Sequence, residues 1–307
     1  MAERRAFEGR PFIGILLMLG AGLCFAALDA TSKHLTQTFP VPMLVWARYT
    51  VHLVLMLVFL APSMRTRLVA TQRPLALSAR ALMLVGTTGF AMAGIAIMPL
   101  AESTAFLFVT PLIVVMLASW LLRESVTPGR WLAIVAGFAG ALLIARPGGA
   151  LSLRGIVLMS LAAACYAIYQ VQTRQMSVSE NTVTMLFYTA LVGTVSMSLA
   201  APLYWGGPMP TAWQALGIAS LGIYGGTGHL LMTRAFRHAP ASTLSPFLYA
   251  QLIWATLLGW LFYAHLPDPV SVAGMAVIAG SSLSIALSER SVHLKQAGAA
   301  GDRDTAC

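Results

Sequence analysis

From Phe12 to Leu28 the chain carries no charged side chain, and further stretches of the same character follow one another almost to the carboxyl terminus. About 20 apolar residues is the length at which an α-helix crosses the hydrocarbon layer of a bilayer. Ten such stretches constrain the fold more than any motif, because backbone amides inside a bilayer must be paired within helices or closed barrels. Composition agrees: 58% of the 307 residues are hydrophobic and 9% charged, against about 25% charged in an ordinary soluble domain. So few charges cannot cover a water-facing surface.

The pattern predicts helices at 12–31, 42–61, 78–98, 101–122, 130–146, 154–174, 183–204, 212–235, 240–264 and 270–288. Breakers separate them, among them Pro40, Pro62, Pro74, Pro128, the run Pro147-Gly148-Gly149, and Pro267 with Pro269. Arg4, Arg5 and Arg10 before an apolar run resemble a secretion signal, but the spans that follow point to an uncleaved first helix. Of the 19 Lys and Arg residues, 15 fall on the side of the amino terminus. Lys33, Arg146 and Arg154 fall on the other, and Arg48 stands inside the second span. The positive-inside rule therefore places both termini in the cytoplasm, in a bacterial inner membrane, and Lys33 outside. The net charge of +9 is dispersed over short loops without interleaved aromatics, so no nucleic-acid surface is expected. Cys24, Cys165 and Cys307 have no metal-ligand spacing, and neither a metal nor another cofactor is expected.

The chain also repeats itself. GILLMLGAGLCFAALDATSK at 14–33 lies over GIVLMSLAAACYAIYQVQTR at 155–174, a shift of 141. With a shift of 139, GTTGF at 86–90 lies over GGTGH at 225–229, and Ser103-Thr104 over Ser242-Thr243. Each half holds five helices, and an odd number forces the halves to cross the membrane in opposite directions. The expected fold is an all-α membrane protein of ten transmembrane helices, two inverted five-helix repeats around a central cavity. Its parts are an amino-terminal tail at 1–11, repeats at 12–146 and 154–288, an external connection at 147–153, and a carboxyl-terminal tail at 289–307.

LLRESVTPGRWLAIVAGFAGALLIA at 121–145, with Glu124, Trp131, Gly137 and Gly140, resembles the signature of the EamA-type drug/metabolite transporter superfamily. ALDATSK in the first helix and AFRHAPAST entering the ninth do likewise. The resemblance covers essentially the whole chain. It implies a central cavity, peripheral fifth and tenth helices, and export of small metabolites, with greatest similarity to the exporters of aromatic and other amino acids. His265 departs from it, standing where the second half often has an acidic counterpart of Glu124.

Candidate cavity residues follow from spacing. Tyr166, Tyr169, Gln170 and Thr173 share one face of the sixth helix, and the repeat places Phe25, Leu28, Asp29 and Ser32 on the equivalent face of the first. Gly86, Gly89, Gly225 and Gly228 permit either close helix approach or bending of the third and eighth helices, and Phe90 and His229 end the two elements. Trp46, Tyr49, His52 and Tyr188 are further candidates, as is Ser245, whose hydroxyl with those of Ser242 and Thr243 precedes Pro246. Arg48 reads as a snorkelling or paired charge. Asp29, the one carboxylate inside these spans, has two readings: an i, i+4 contact with Lys33 at the external interface, or a cavity-mouth partner for a substrate ammonium.

The expected function is alternating-access export of small metabolites, amino acids including aromatic ones foremost, with the lipid bilayer as the other partner. A sugar-nucleotide or sugar-phosphate antiporter would need several buried cations for phosphate. A non-transporting structural or receptor-like membrane protein is the alternative of another class. An enzyme is not expected, since the six histidines are scattered and neither HExxH nor GxSxG occurs.

Overall fold

The computed structural model describes residues 11–121, 127–146, 151–176, 179–204, 206, 208–238, 244 and 247–284. Among them no strand occurs, and ten helical spans cross in alternating directions. The first half contains α1 (Pro11–Leu35), α2 (Val41–Phe59), α3 (Pro74–Ile97), α4 (Leu100–Leu107, resumed at Thr110–Leu121) and α5 (Pro128–Ala145). The second contains α6 (Leu153–Met176), α7 (Thr182–Tyr204), α8 (Ala212–His238), α9 (Ala250–Tyr263) and α10 (Pro269–Ser284). Seven of the spans are long and apolar enough to cross a membrane by length and composition; α9, α10 and the apolar part of α5 are shorter.

Proline sets several starts. Pro42, Pro74 and Pro128 occupy the first turns of α2, α3 and α5, where a missing N–H costs nothing and the fixed φ suits a helix. Proline also breaks α4, which the sequence pattern reads as one helix over 101–122. Pro111 has no N–H to donate to the Leu107 carbonyl, so the ladder stops there. Phe108 N–H turns back to Ala105 O at 3.0 Å, and Ser282 Oγ on α10 donates to the freed Phe108 carbonyl at 3.2 Å. In the second half α9 starts after a turn at Tyr249. The two interruptions meet, with Phe108 and Tyr249 ring centroids 5.0 Å apart. Interrupted helices in corresponding places of two inverted halves mark the region where such proteins hold a solute.

The halves are interleaved rather than set side by side. α1 packs against α8 and α9, α2 against α7 and α8, and α3 against α6 and α7. Leu132 and Leu142 of α5 and Leu199 of α7, each more than 70% exposed, point outward, as a lipid-facing surface requires. Three sequence boundaries shift. α1 runs to Leu35, so Asp29 lies inside a helix rather than at its end. α3 starts at Pro74, which puts Arg80 in its second turn rather than beside a loop. α4 starts at Leu100, one residue before the expected 101, and Glu102 in its first turn is 2% exposed, a second buried carboxylate besides Asp29. Ser242, Thr243, Ser245, Pro246 and Glu124 lie outside the described residues, as do most of both tails and residues 147–150 of the connection.

Candidate functional site

Successive residues of α2 face different elements, and this divergence builds the site. Arg48 and His52, one turn apart, face α8. A Cβ added at Gly225 would stand 3.3 Å from Arg48 Nε, and one at Gly222 2.9 Å from the Arg48 carbonyl. The bare backbone of α8 therefore lets α2 approach while leaving room for the guanidinium. Tyr49, about 100° further round the helix, turns to α3. Its hydroxyl donates to Leu84 O at 3.0 Å and is hydrogen-bonded to Thr88 Oγ1 at 2.8 Å.

Arg48, Tyr49 and His52 line a narrow interior cavity with Thr189 of α7 and His229 of α8. Leu84 of α3 completes the wall, and a Cβ at Gly225 would stand 3.4 Å from Leu28 Cδ1 of α1 as well as 3.3 Å from Arg48 Nε. Elements α1, α2, α3, α7 and α8, from both halves, thus meet around one arginine. Arg48 leans over the Tyr49 ring at 5.8 Å, and no hydrogen bond ties its guanidinium to a described residue. The snorkelling reading is thereby corrected, since the side chain faces the interior, where a cation is costly unless it has a task.

Of the residues singled out from sequence, Tyr49, His52, Gly225 and His229 line this cavity, Asp29 follows Leu28 beside it, and Tyr169 reaches Thr189 of its wall through Arg80. Tyr166 and Tyr169 stack with centroids 5.8 Å apart, and His229 sits edge-on to Phe25 at 5.1 Å. Trp46 does not join them; its indole donates to Ser198 Oγ on α7 at 2.8 Å, on a different face of α2. Tyr188 donates to Val69 O at 3.2 Å, at the end where α1 begins. Phe90 packs into the apolar core shared by α3, α4 and α9. The expected Asp29–Lys33 contact is absent: Lys33 Nζ donates to Ile95 O at 3.0 Å and Met98 O at 2.7 Å, while Asp29 Oδ2 accepts from Gln251 Nε2 at a long 3.5 Å.

The repeated glycines differ between the halves. A Cβ at Gly228 would stand 2.7 Å from Phe25 Cε1, so α1 and α8 need that glycine to pack. One at Gly89 would meet nothing within 4 Å, and one at Gly86 ordinary contact with Cys165 Sγ at 3.4 Å.

Sequence reasoning assigned no such place to Arg80, 2% exposed. It donates to Tyr169 Oη at 2.7 Å, Thr173 Oγ1 at 2.6 Å, and Met185 O and Thr189 Oγ1 at 3.2 Å each, and stacks on the Tyr169 ring at 4.3 Å. The signal was present: Leu77, Arg80, Leu84, Thr87 and Ala91 fall on one helical face. At the opposite end, Ala264 with φ 49° turns the chain so that His265 Nε2 meets Glu102 Oε1 at 3.1 Å. Tyr263 there donates to Ala30 O at 2.7 Å and offers its ring to Lys33 at 5.4 Å.

Ten spans in two inverted halves, with ionisable and aromatic groups of both around one interior cavity, define a multi-pass membrane protein of the transporter class. The chain belongs to the EamA-like transporter family, whose model matches residues 12–146 and again 153–287. It is 27% identical to an S-adenosylmethionine uptake transporter of Rickettsia bellii over 92% of this chain and 97% of the relative. Identity to the pseudopaline exporter of Pseudomonas aeruginosa is 24%, over 90% and 97%. Identity to a riboflavin transporter of Vibrio cholerae is 29%, over 89% and 92%. A crystal structure covering 91% of this chain and 98% of its own superposes with a TM-score of 0.64 at 19% identity, which shows a shared fold. The chain is a small-metabolite transporter.

Proposed function

We propose that this transporter exports small amphipathic metabolites, amino acids with aromatic side chains among them, by alternating access around the Arg48 cavity. The observation that supports this reading is the meeting of Tyr49, His52 and His229, from both halves, around an interior space with one fixed charge in its wall, Arg48, and with the stacked Tyr166 and Tyr169 on neighbouring α6. Rings hold an apolar side chain, and the ionisable groups meet an amino-acid head group. Apolar walls discriminate weakly, because one methylene changes binding by only about 1–3 kcal/mol, so selectivity is broad. Of the relatives' named cargoes, S-adenosylmethionine is itself an amino-acid derivative with an aromatic base. A phosphorylated sugar suits the site less well, since Arg80 has given its donors to protein acceptors and only Arg48 is left for phosphate.

The halves at 12–146 and 154–288, joined by 147–153, act as the moving units, in a bacterial inner membrane with both termini cytoplasmic. Cysteines at the exposed positions Gln72 and Met209 should then react with impermeant reagents from opposite sides, Gln72→Cys from the cytoplasm. Labelling of both from one side would end the topology.

The deciding experiment loads vesicles containing the purified protein with labelled phenylalanine, tyrosine, S-adenosylmethionine or riboflavin, and follows their loss with and without a proton gradient. Release of several amino acids above that of protein-free vesicles is the expected result. Release of riboflavin alone, or of no amino acid, would remove amino acids from the proposal.

A further inference from the structure

We infer that Arg48 receives the carboxylate of the solute while Asp29 receives its ammonium, so that the cavity selects dipolar solutes over singly charged ones. The inference rests on the reading that the cavity carries the solute, and it names the groups that recognise it.

The two interior arginines of the first half make the argument by contrast. Arg80 is a structural arginine: two acceptor hydroxyls on α6, and a hydroxyl and a carbonyl on α7, take its donors. Arg48 has no such set. It lines the cavity, is partly accessible, and keeps its fork of N–H donors free of hydrogen bonds to described residues. A guanidinium held inside a membrane protein without acceptors is poorly compensated, and a carboxylate is the ligand whose two oxygens match its planar fork. Gly225 and Gly222 let Arg48 lie directly against the bare backbone of α8, which gives it no side-chain acceptor there.

Asp29 is the complementary half. It is 8% exposed, and its hydrogen bond from Gln251 is the longest that a carboxylate can be said to accept. A Cβ at Gly225 would stand 3.3 Å from Arg48 Nε and 3.4 Å from Cδ1 of Leu28, the residue before Asp29, yet no ion pair within 4.0 Å joins Arg48 to Asp29. Each therefore has capacity left for a ligand of opposite sign, and the pair presents a dipole. An α-amino acid head group, with carboxylate and ammonium on one carbon, fits a receptor of that polarity; a simple amine or a simple acid satisfies one pole and leaves the other uncompensated.

The test uses thermal unfolding of the purified full chain in detergent with L-phenylalanine, 3-phenylpropanoate and phenethylamine as probes. Wild type should be stabilised most by phenylalanine. Arg48→Gln should weaken the phenylalanine response at least about tenfold, the loss expected for one charge-assisted pair. It should also abolish the 3-phenylpropanoate response and keep that to phenethylamine. Asp29→Asn should show the mirror pattern, and Arg48→Lys should recover part of the carboxylate response, which separates lost recognition from lost folding. Unchanged phenylalanine and 3-phenylpropanoate responses in Arg48→Gln, or equal loss of all three, would overturn the inference. A wild type blind to phenylalanine but stabilised by S-adenosylmethionine through Arg48 would refute the amino-acid cargo while upholding the role of Arg48. Stabilisation by none of the carboxylate-bearing probes would overturn that role.

Discussion

Asp29, Arg80 and Glu102, the buried charged side chains among the described residues, all lie in the first half, whereas the second half buries Thr184, Thr189 and three serines. The repeat register puts Gln170 opposite Asp29 and Ala219 opposite Arg80, so these buried charges do not recur, although Lys33 lies over Arg174. The second half instead supplies uncharged partners to three of the first half's charges: Gln251 to Asp29, Tyr169, Thr173 and Thr189 to Arg80, and the Tyr263 ring to Lys33, while His265 Nε2 meets Glu102 at 3.1 Å. Charges of one sign repeated in both halves would repel across a low-dielectric interface. Dividing charge and dipole between the halves lets one bind the other without that repulsion.

The largest effect should come from Arg80→Ala, which strands several buried acceptors of α6 and α7. At about 1–3 kcal/mol for each unsatisfied group, apparent unfolding temperature in detergent should fall further than for any other single change proposed. Thr189→Val, on the neutral side of the same contact, should cost about 1 kcal/mol. Equal losses would erase the distinction between charged and neutral halves.

Next comes the glycine pair. Gly228→Leu drives a side chain into Phe25 and should cost at least about 1–3 kcal/mol as overpacking, with reduced yield of folded protein. Gly89→Leu enters open space and should fold normally. If both variants lose transport but only Gly228→Leu loses stability, Gly89 serves motion and Gly228 serves packing. Equal stability of the two would show that the copies are interchangeable.

Tyr169→Phe removes one hydrogen bond to Arg80 and should cost about 1 kcal/mol. Tyr169→Ala also removes the ring that Arg80 covers, so it cannot report on solute contact alone. Tyr166→Phe and Gln170→Ala, which remove none of Arg80's own hydrogen-bond partners, are the cleaner transport variants: both should slow release of several amino acids together, measured at matched protein in vesicles.

The smallest effect belongs to the charged pair that runs the other way, with the carboxylate on the second half. Asp268 accepts from Ser271 and Val270 N–H, the Ser271 hydroxyl and Arg146, at 2.9 Å for the last, on the exposed surface outside the spans. Those contacts, Ser271 first, hold its carboxyl down at about 2 from the ordinary 3.8. A carboxyl depressed on folding stabilises above its unfolded pKa and loses that contribution as pH falls toward its folded one. Unfolding temperature should therefore drop between about pH 4 and 2, and Asp268→Asn should flatten that drop. An unchanged slope in the variant would assign the acid sensitivity to other carboxyls.

The number of spans, their alternation and the inverted repeat were legible because each depends on local composition: a bilayer demands apolar length, and loop charges bias orientation. Tyr166, Tyr169 and Gln170 could be placed on one face by helical periodicity alone. Arg48 and Trp46 could not be sorted the same way, and periodicity put Arg80 on an inward face without naming its partners. Which face of α2 or α3 meets protein depends on where the other half's glycines and hydroxyls lie, more than a hundred residues away in sequence. A shift of four residues in the start of α3, from 78 to Pro74, moved Arg80 from the first turn of the expected helix to the second.

The sequence by itself determined that this chain spans a membrane in ten helices of two opposed halves, because backbone hydrogen bonding in lipid leaves no other arrangement for such apolar runs. Only the tertiary structure decided that Asp29 and Lys33 turn away from each other and that Arg48 is left free while Arg80 is saturated. Those outcomes depend on acceptors brought within about 3 Å by the packing of one half into the other, and spacing along a single helix carries no information about them.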